Sequence, residues 1–198
     1  MKNIWLALAG CLALASAASA QSPASDWARA GDVKVLVSGF RDARAAVFVS
    51  AAKAPAGKTW AVLRLDPACV LATVADMMGI ALRSDIPAPA LRLENDTPLK
   101  RFQDAVEPQW KMRPDMFLNA YTPGTNEVFL MADASYYNKL KRFLDDSLAH
   151  EYVHFFQVKY KNFPIDQFSD AEEGEAISYQ TRFRDEYLTP GIVPPRCR

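Results

Sequence analysis

The chain has 198 residues, half of them hydrophobic, and its 23 basic and 23 acidic side chains give a formal net charge of zero. A nucleic-acid-binding protein needs a basic excess to neutralise phosphates, so this balance argues against such a partner. The apolar fraction is large enough to form a buried core, which argues against a disordered chain. At this length we expect one globular domain.

The N-terminus has the features of a secretory signal peptide. Lys2 provides a positive region, residues 4–15 are apolar, and residues 18–20 form the small-residue cleavage pattern Ala-Ser-Ala. The apolar run is too short for a stable membrane span. We therefore expect cleavage after Ala20, a signal segment of residues 1–20, and a periplasmic or secreted domain of residues 21–198.

An alternative interpretation of the N-terminus is lipid attachment at Cys11, because Leu8-Ala9-Gly10-Cys11 resembles the lipid-attachment box of bacterial lipoproteins. This would leave an apolar region of only about seven residues, at the low limit for a signal peptide. Removal of the signal leaves Cys69 and Cys197 as the mature cysteines. In an oxidising compartment we expect a disulfide between them that holds the Pro-rich tail to the domain, with two free thiols as the alternative.

The first part of the mature chain has the hydrophobic pattern of strands, at residues 32–40, 45–49 and 60–65. Residues 68–82 have helical character. Residues 84–98 contain three prolines and are interpreted as a loop.

Two prolines, Pro108 and Pro114, interrupt the polar stretch that follows. Residues 116–121 and 127–131 then flank Thr122-Pro123-Gly124-Thr125, where Pro and Gly at the central positions predict a type II turn and a hairpin. After the hairpin the period becomes helical.

Two helices are predicted after the hairpin. One begins at Asp133 or Ser135 and continues to about Tyr160, and the second covers residues 170–187.

The first of these helices contains His150-Glu151-Tyr152-Val153-His154. A spacing of four residues places both imidazoles on one helical face, where their nitrogens can bind one zinc ion. Glu151 points about 100° away around the helix axis, so it is not a ligand but can reach a zinc-bound water as the general base. The only two histidines in the chain have this spacing, and the residues that flank them are mostly apolar. We therefore predict a catalytic zinc site rather than surface histidines.

A catalytic zinc site needs a third protein ligand, and we expect a downstream carboxylate because no other histidine exists. Helix geometry places Glu172 and Glu173 near the inward face of the second helix and leaves both open, with Glu175 farther away. The motif and this acidic turn resemble the gluzincin class of zinc metallopeptidases. The resemblance covers residues 116–187, and its E-x-x-A pattern matches Glu173 to Ala176. It implies that Glu173 is the third ligand.

The resemblance also implies a zincin-like α+β fold, with a small mixed or antiparallel sheet of about four or five strands packed on the zinc helix and a second helix that carries the glutamate. It implies that the strand at residues 127–131 is an exposed edge that binds an extended peptide. Tyr179, or Tyr121 as an alternative, is a candidate catalytic residue that stabilises the tetrahedral intermediate. Asp146 is a candidate acceptor for the ring of His150, or else a solvated residue.

Together these features predict an exported zinc-dependent metallopeptidase, with Glu151 and Tyr179 as catalytic residues and His150, His154 and Glu173 as metal ligands. The expected partner is a peptide or protein substrate. The alternative is a zincin-like domain that binds zinc for a structural or partner-binding role without turnover. Glu151 distinguishes the two, because a purely structural site has no use for a carboxylate at this position.

Overall fold

A computed structural model describes residues 57–198. The predicted signal peptide and the predicted strands at residues 32–40 and 45–49 lie outside the described residues. The described part is a mixed α+β structure. Its helices and strands are α1 (Pro67–Met77), β1 (Ala90–Leu93), α2 (Leu99–Trp110), β2 (Ala120–Thr122), β3 (Glu127–Leu130), α3 (Ala134–Leu140), α4 (Leu144–Lys159) and α5 (Asp170–Phe183).

The described strands form one mixed sheet in the order β1-β3-β2. β1 pairs with β3 in parallel, and β2 pairs with β3 in the antiparallel direction. The expectation that residues 127–131 form an exposed edge is therefore wrong. The segment at residues 84–98, interpreted as a loop, contains β1. This strand pairs with the edge of β3 that was expected to bind a peptide.

The sheet separates two cores. On one face, Phe102 and Val106 of α2 pack with Phe117 and Phe129. The larger core on the other face joins the sheet to α1, α4 and α5. α4 is central to this arrangement, because residues on all its sides are buried. It therefore offers a rigid position for polar side chains.

The hairpin is confirmed, although its strands are shorter than predicted. Its turn is not type II, because that turn needs a positive φ at Gly124. The positive φ of 51° instead belongs to Asn126. Thr122 pairs with Glu127, so the loop between them has four residues, and its last residue takes the left-handed conformation that Asn tolerates.

The helix predicted from Asp133 to Tyr160 is two helices. Asp133 caps α3 as expected, since its Oδ1 accepts from the Ser135 N–H at 2.9 Å. The chain then adopts a left-handed conformation at Lys141, where φ is 53°, and α4 begins three residues later.

The strand predicted at residues 60–65 is also wrong. Trp60 makes a single bridge to Asp133, after which the backbone N–H groups of Arg64 and Leu65 both donate to the carboxylate of Asp145. These donors are thus satisfied by a side chain instead of a neighbouring strand.

The helix predicted at residues 68–82 is confirmed as α1 up to Met77, where the helix ends five residues earlier than predicted. A disulfide joins its Cys69 to Cys197 at the C-terminus, as predicted. Pro108, expected to interrupt the chain, lies in the last turn of α2. Within residues 57–198, no helix combines the length and the apolar character that a membrane span requires.

Candidate metal centre

Two imidazoles converge on the buried helix α4. His150 and His154 lie one helical turn apart, and their Nε2 atoms are 3.0 Å apart. His154 is buried, whereas the His150 side chain keeps 16% of its surface exposed. The two imidazoles therefore lie on one face of α4, as the four-residue spacing predicted.

Glu173 of α5 completes a group of three donors. Its carboxylate oxygens lie 3.5 Å from the His150 Nε2 and 3.3 Å from the His154 Nε2. Two ligands at about 2.0 to 2.1 Å from a tetrahedral zinc ion are about 3.4 Å apart. The three separations are near this value, with the two of Glu173 running to different carboxylate oxygens, and one donor atom of each residue lies within 4.8 Å of the others. The donor set of His150, His154 and Glu173, called here the His-His-Glu group, could therefore hold a metal ion.

The start of α5 explains why Glu173 and not Glu172 faces the imidazoles. Ser169 caps this helix, and the Glu172 carboxylate returns to the Ser169 N–H at 2.8 Å and to its hydroxyl at 2.7 Å. Glu172 is thereby held in a capping box, and the next residue points toward α4. Ala176 is fully buried at this contact, whereas a side chain added at Gly174 would meet open space. The close approach of α5 to α4 therefore depends on the small side chain of Ala176 and not on Gly174.

The charges of the His-His-Glu group reinforce one another. Hydrogen bonding to the two imidazoles holds the pKa of Glu173 well below its usual value. Burial disfavours the charged form of His154, but Glu173 and Glu151 outweigh this effect and raise the pKa of that imidazole. The group thus holds an ionised carboxylate beside two imidazoles, and a divalent metal that binds there has to displace the proton that Glu173 and Glu151 favour on His154.

Glu151 lies beside the group without belonging to it. Only 4% of the residue is exposed. Burial raises the pKa of this carboxyl and Glu173 raises it further, while the two imidazoles and the backbone N–H of Tyr121 act in the opposite direction. A raised pKa beside a candidate metal centre is typical of a general base, so Glu151 stays a candidate for that role.

Two site residues escaped the sequence analysis. The His154 Nδ1 lies 2.8 Å from the Oε1 of Gln157, and the ring of Phe168 lies 5.2 Å from the imidazole. A polar residue one turn after His154, within the otherwise apolar run Phe155-Phe156-Gln157-Val158, was a signal for Gln157. Phe168 lies in the connection between α4 and α5, and no periodic pattern predicts its position.

The side-chain partners of the other candidates lie outside the His-His-Glu group. Tyr179 is partly buried against the larger core and interacts with Arg182, so its catalytic role stays a prediction. The hydroxyl of Tyr121 donates to Asn126. Asp146 is fully buried and accepts from Gln180 at 3.0 Å, so the interpretations of Asp146 as an acceptor for His150 and as a solvated residue are both wrong.

These features define a candidate metal centre of two histidines and one glutamate, with a buried carboxyl group beside it. No protein-family model, curated protein or solved structure matches the chain. The case for function therefore rests on the chemistry of these residues.

Proposed function

We propose that the protein is an exported zinc-dependent metallopeptidase. The observation that carries the proposal is the position of Glu151, a buried carboxyl group of raised pKa next to the His-His-Glu group. A site that held zinc only for structure would gain nothing from this group, whose burial is costly. The resemblance to gluzincins, which place a glutamate immediately after the first histidine, supports the same assignment.

The roles of the chain's residues follow from their geometry. His150, His154 and Glu173 would hold the zinc ion, which supplies a Lewis acid that polarises the peptide carbonyl and acidifies water. Glu151 accepts a proton from the attacking water and returns it to the leaving nitrogen. Glu173 keeps 47% of its side-chain surface exposed, so substrate approaches the group from the side of α5.

A peptide substrate is supported by the resemblance and by the chemistry, but not by the sheet edge that the sequence suggested. β3 lies between two other strands, and β2 is buried. The test should therefore include esters as well as peptides. The disulfide between Cys69 and Cys197 supports an oxidising location, because such bonds persist outside the cytosol.

The experiment compares wild type with Glu151→Gln on a mixed peptide library and a set of simple esters. The substitution leaves all three proposed ligands in place, so the variant should keep its zinc. Cleavage should fall by about 10² to 10⁴-fold, the contribution typical of a general base. A chelator should abolish the cleavage by wild type.

The alternative function, a zinc-binding domain without turnover, predicts a different outcome. It expects no chelator-sensitive cleavage in wild type and no functional difference in Glu151→Gln. Cleavage that persists undiminished in Glu151→Gln, with zinc still bound, would contradict the proposed mechanism.

A further inference from the structure

Gln157 connects the two helices that carry the proposed ligands. This side chain is on α4, and only 1% of the residue is exposed. Its Oε1 lies 2.8 Å from the Nδ1 of His154. Its Nε2 donates to the backbone carbonyl of Glu172 at 2.9 Å and to the carboxylate of Glu175, also at 2.9 Å. One amide thus contacts the proposed ligand His154 on α4 and two residues of α5 that lie on either side of the proposed ligand Glu173.

These contacts fix the orientation of the amide. The backbone carbonyl of Glu172 only accepts hydrogen bonds, so the end of Gln157 that faces it is its NH₂ group. The opposite end is then the oxygen, which also only accepts. His154 must therefore donate from Nδ1. In the neutral imidazole this leaves the Nε2 lone pair facing Glu173 and His150. The hydrogen bond from His154 to Glu173 that raises the pKa of the imidazole belongs to its protonated form, in which both ring nitrogens donate.

We infer that Gln157 is a positioning residue that holds His154 in the Nδ1–H tautomer and ties the orientation of its ring to the helix that carries Glu173. The tautomer is a property of the metal-free protein. The expected effect on metal affinity rests on the proposed function, because it requires that the His-His-Glu group bind zinc. Hydrogen bonds of this kind fix the ring of a metal-binding histidine and typically change metal affinity by about 10- to 100-fold.

The second histidine provides an internal comparison. The Nδ1 of His150 is buried and has no hydrogen-bond partner among residues 57–198. A change at Gln157 should therefore act directly on the tautomer of His154 and reach His150 only through the contact between their Nε2 atoms. Because the chain has only two histidines, a nitrogen NMR spectrum of its imidazoles contains just two ring systems to assign.

The chain also offers a matched control. Gln180 is a second buried glutamine at the contact between α4 and α5, where its Nε2 donates to Asp146 at 3.0 Å. Gln180→Leu removes a buried amide between the same two helices without touching either histidine. If Gln157 served only to join the helices, the two Leu variants would behave alike.

The experiment has two readouts on wild type, Gln157→Leu, Gln157→Glu and Gln180→Leu. The first is the tautomer of each histidine, measured by ¹⁵N NMR on the full mature protein without metal at alkaline pH. We expect the Nδ1–H form of His154 in wild type, in Gln180→Leu and in Gln157→Glu, whose carboxylate still accepts from Nδ1. Gln157→Leu should populate both tautomers.

The second readout is the affinity for zinc, measured by competition with a chelator. Gln157→Leu should bind zinc about 10- to 100-fold more weakly than Gln180→Leu. An Nε2–H tautomer of His154 in wild type would overturn the inference even if no variant folds. An unchanged tautomer in Gln157→Leu, or equal losses of affinity in the two Leu variants, would overturn it as well. Failure of wild type to bind zinc would instead contradict the proposed function, and the tautomer would still decide the role of Gln157.

Discussion

Three glutamates on the first turns of α5 have three different environments. Glu172 caps the helix through Ser169, and this hydrogen bonding lowers its pKa. Glu173 faces the two imidazoles. Glu175 accepts from Gln157 and pairs with Lys161 at 2.6 Å. The same side chain therefore serves as cap, proposed ligand and supporting acceptor, according to its angle around the helix axis.

These environments predict that only Glu173→Gln strongly impairs zinc retention. A neutral amide at this position is a poor ligand, and loss of a ligand should weaken binding by at least about 100-fold, more than the loss of a supporting hydrogen bond. Glu172→Gln should change affinity little, and Glu175→Gln should have an intermediate effect through Gln157. Titration of the three purified variants with zinc tests the order. A larger loss in Glu172→Gln than in Glu173→Gln would contradict the placement of the donors.

The sequence predicted the two histidines and left Glu172 and Glu173 open, because both lie near the inward face by helical geometry. The capping box at Ser169 resolves this choice, since it occupies Glu172. Gln157 was missed for another reason. Its function depends on three partners, two of which belong to a different helix, and no local pattern encodes such a contact.

At the scale of helices and strands, the sequence was most informative where an element has a strong period and a cap. The starts of α5 and of α1 were predicted correctly, each to within one residue. β1 was missed because it has four residues between prolines and is stabilised by parallel pairing with a strand far along the chain. Pro108 suggested a break but is tolerated near the end of α2, where it removes only one intrahelical hydrogen bond.

The first turn of α4 contains a buried acid that connects it to the chain before α1. Asp145 is fully buried, and its Oδ1 accepts from the backbone N–H groups of Arg64 and Leu65, both at 2.9 Å. Burial raises the pKa of Asp145 to about 6, although these two hydrogen bonds oppose the rise. The folded chain therefore binds a proton, between pH 3.8 and about 6, that the unfolded chain has lost.

This difference predicts a pH-dependent effect of Asp145→Asn. In wild type the contribution of Asp145 to stability falls as pH rises through this window, and one pKa unit corresponds to about 1.4 kcal/mol. Above pH 6, burial of the ionised Asp145 carboxylate lowers the free energy of unfolding by an amount on the order of 3 kcal/mol. Asn can still accept both N–H groups through Oδ1 and carries no charge. The stability of the variant relative to wild type should therefore increase from pH 4 to pH 7.

Urea unfolding of both proteins at several pH values measures this difference. Comparison at each pH is needed because other acids titrate in the same range. A variant that becomes less stable relative to wild type as pH rises would show that the N–H donors outweigh burial at Asp145.

At the scale of the whole molecule, the disulfide closes most of the described chain into one loop. Cys69 and Cys197 are 128 residues apart in sequence. The chain-entropy estimate for a loop of this length is about 5 kcal/mol, and measured values for native disulfides are about 2 to 5 kcal/mol. The neighbouring ion pair between Arg196 and Asp76, 2.7 Å long, joins the same two segments but is exposed.

We therefore expect the double substitution Cys69→Ser and Cys197→Ser to lower the free energy of unfolding by about 2 to 5 kcal/mol. Asp76→Asn, which removes the ion pair between the same segments, should have no measurable effect because exposed pairs contribute little. Urea unfolding under non-reducing conditions compares the three proteins. Equal stability of wild type and the double variant would contradict the proposed contribution of the disulfide.

The central claim is that His150, His154 and Glu173 bind one metal ion, and metal content tests it most directly. The mature protein is purified without chelator, incubated with zinc, freed of excess metal and analysed by elemental mass spectrometry. Wild type and Glu151→Gln should each retain about one zinc per chain, the content of a single three-ligand site, whereas His150→Ala and His154→Ala should retain almost none. Equal, near-zero zinc in wild type and in both histidine variants would contradict the account.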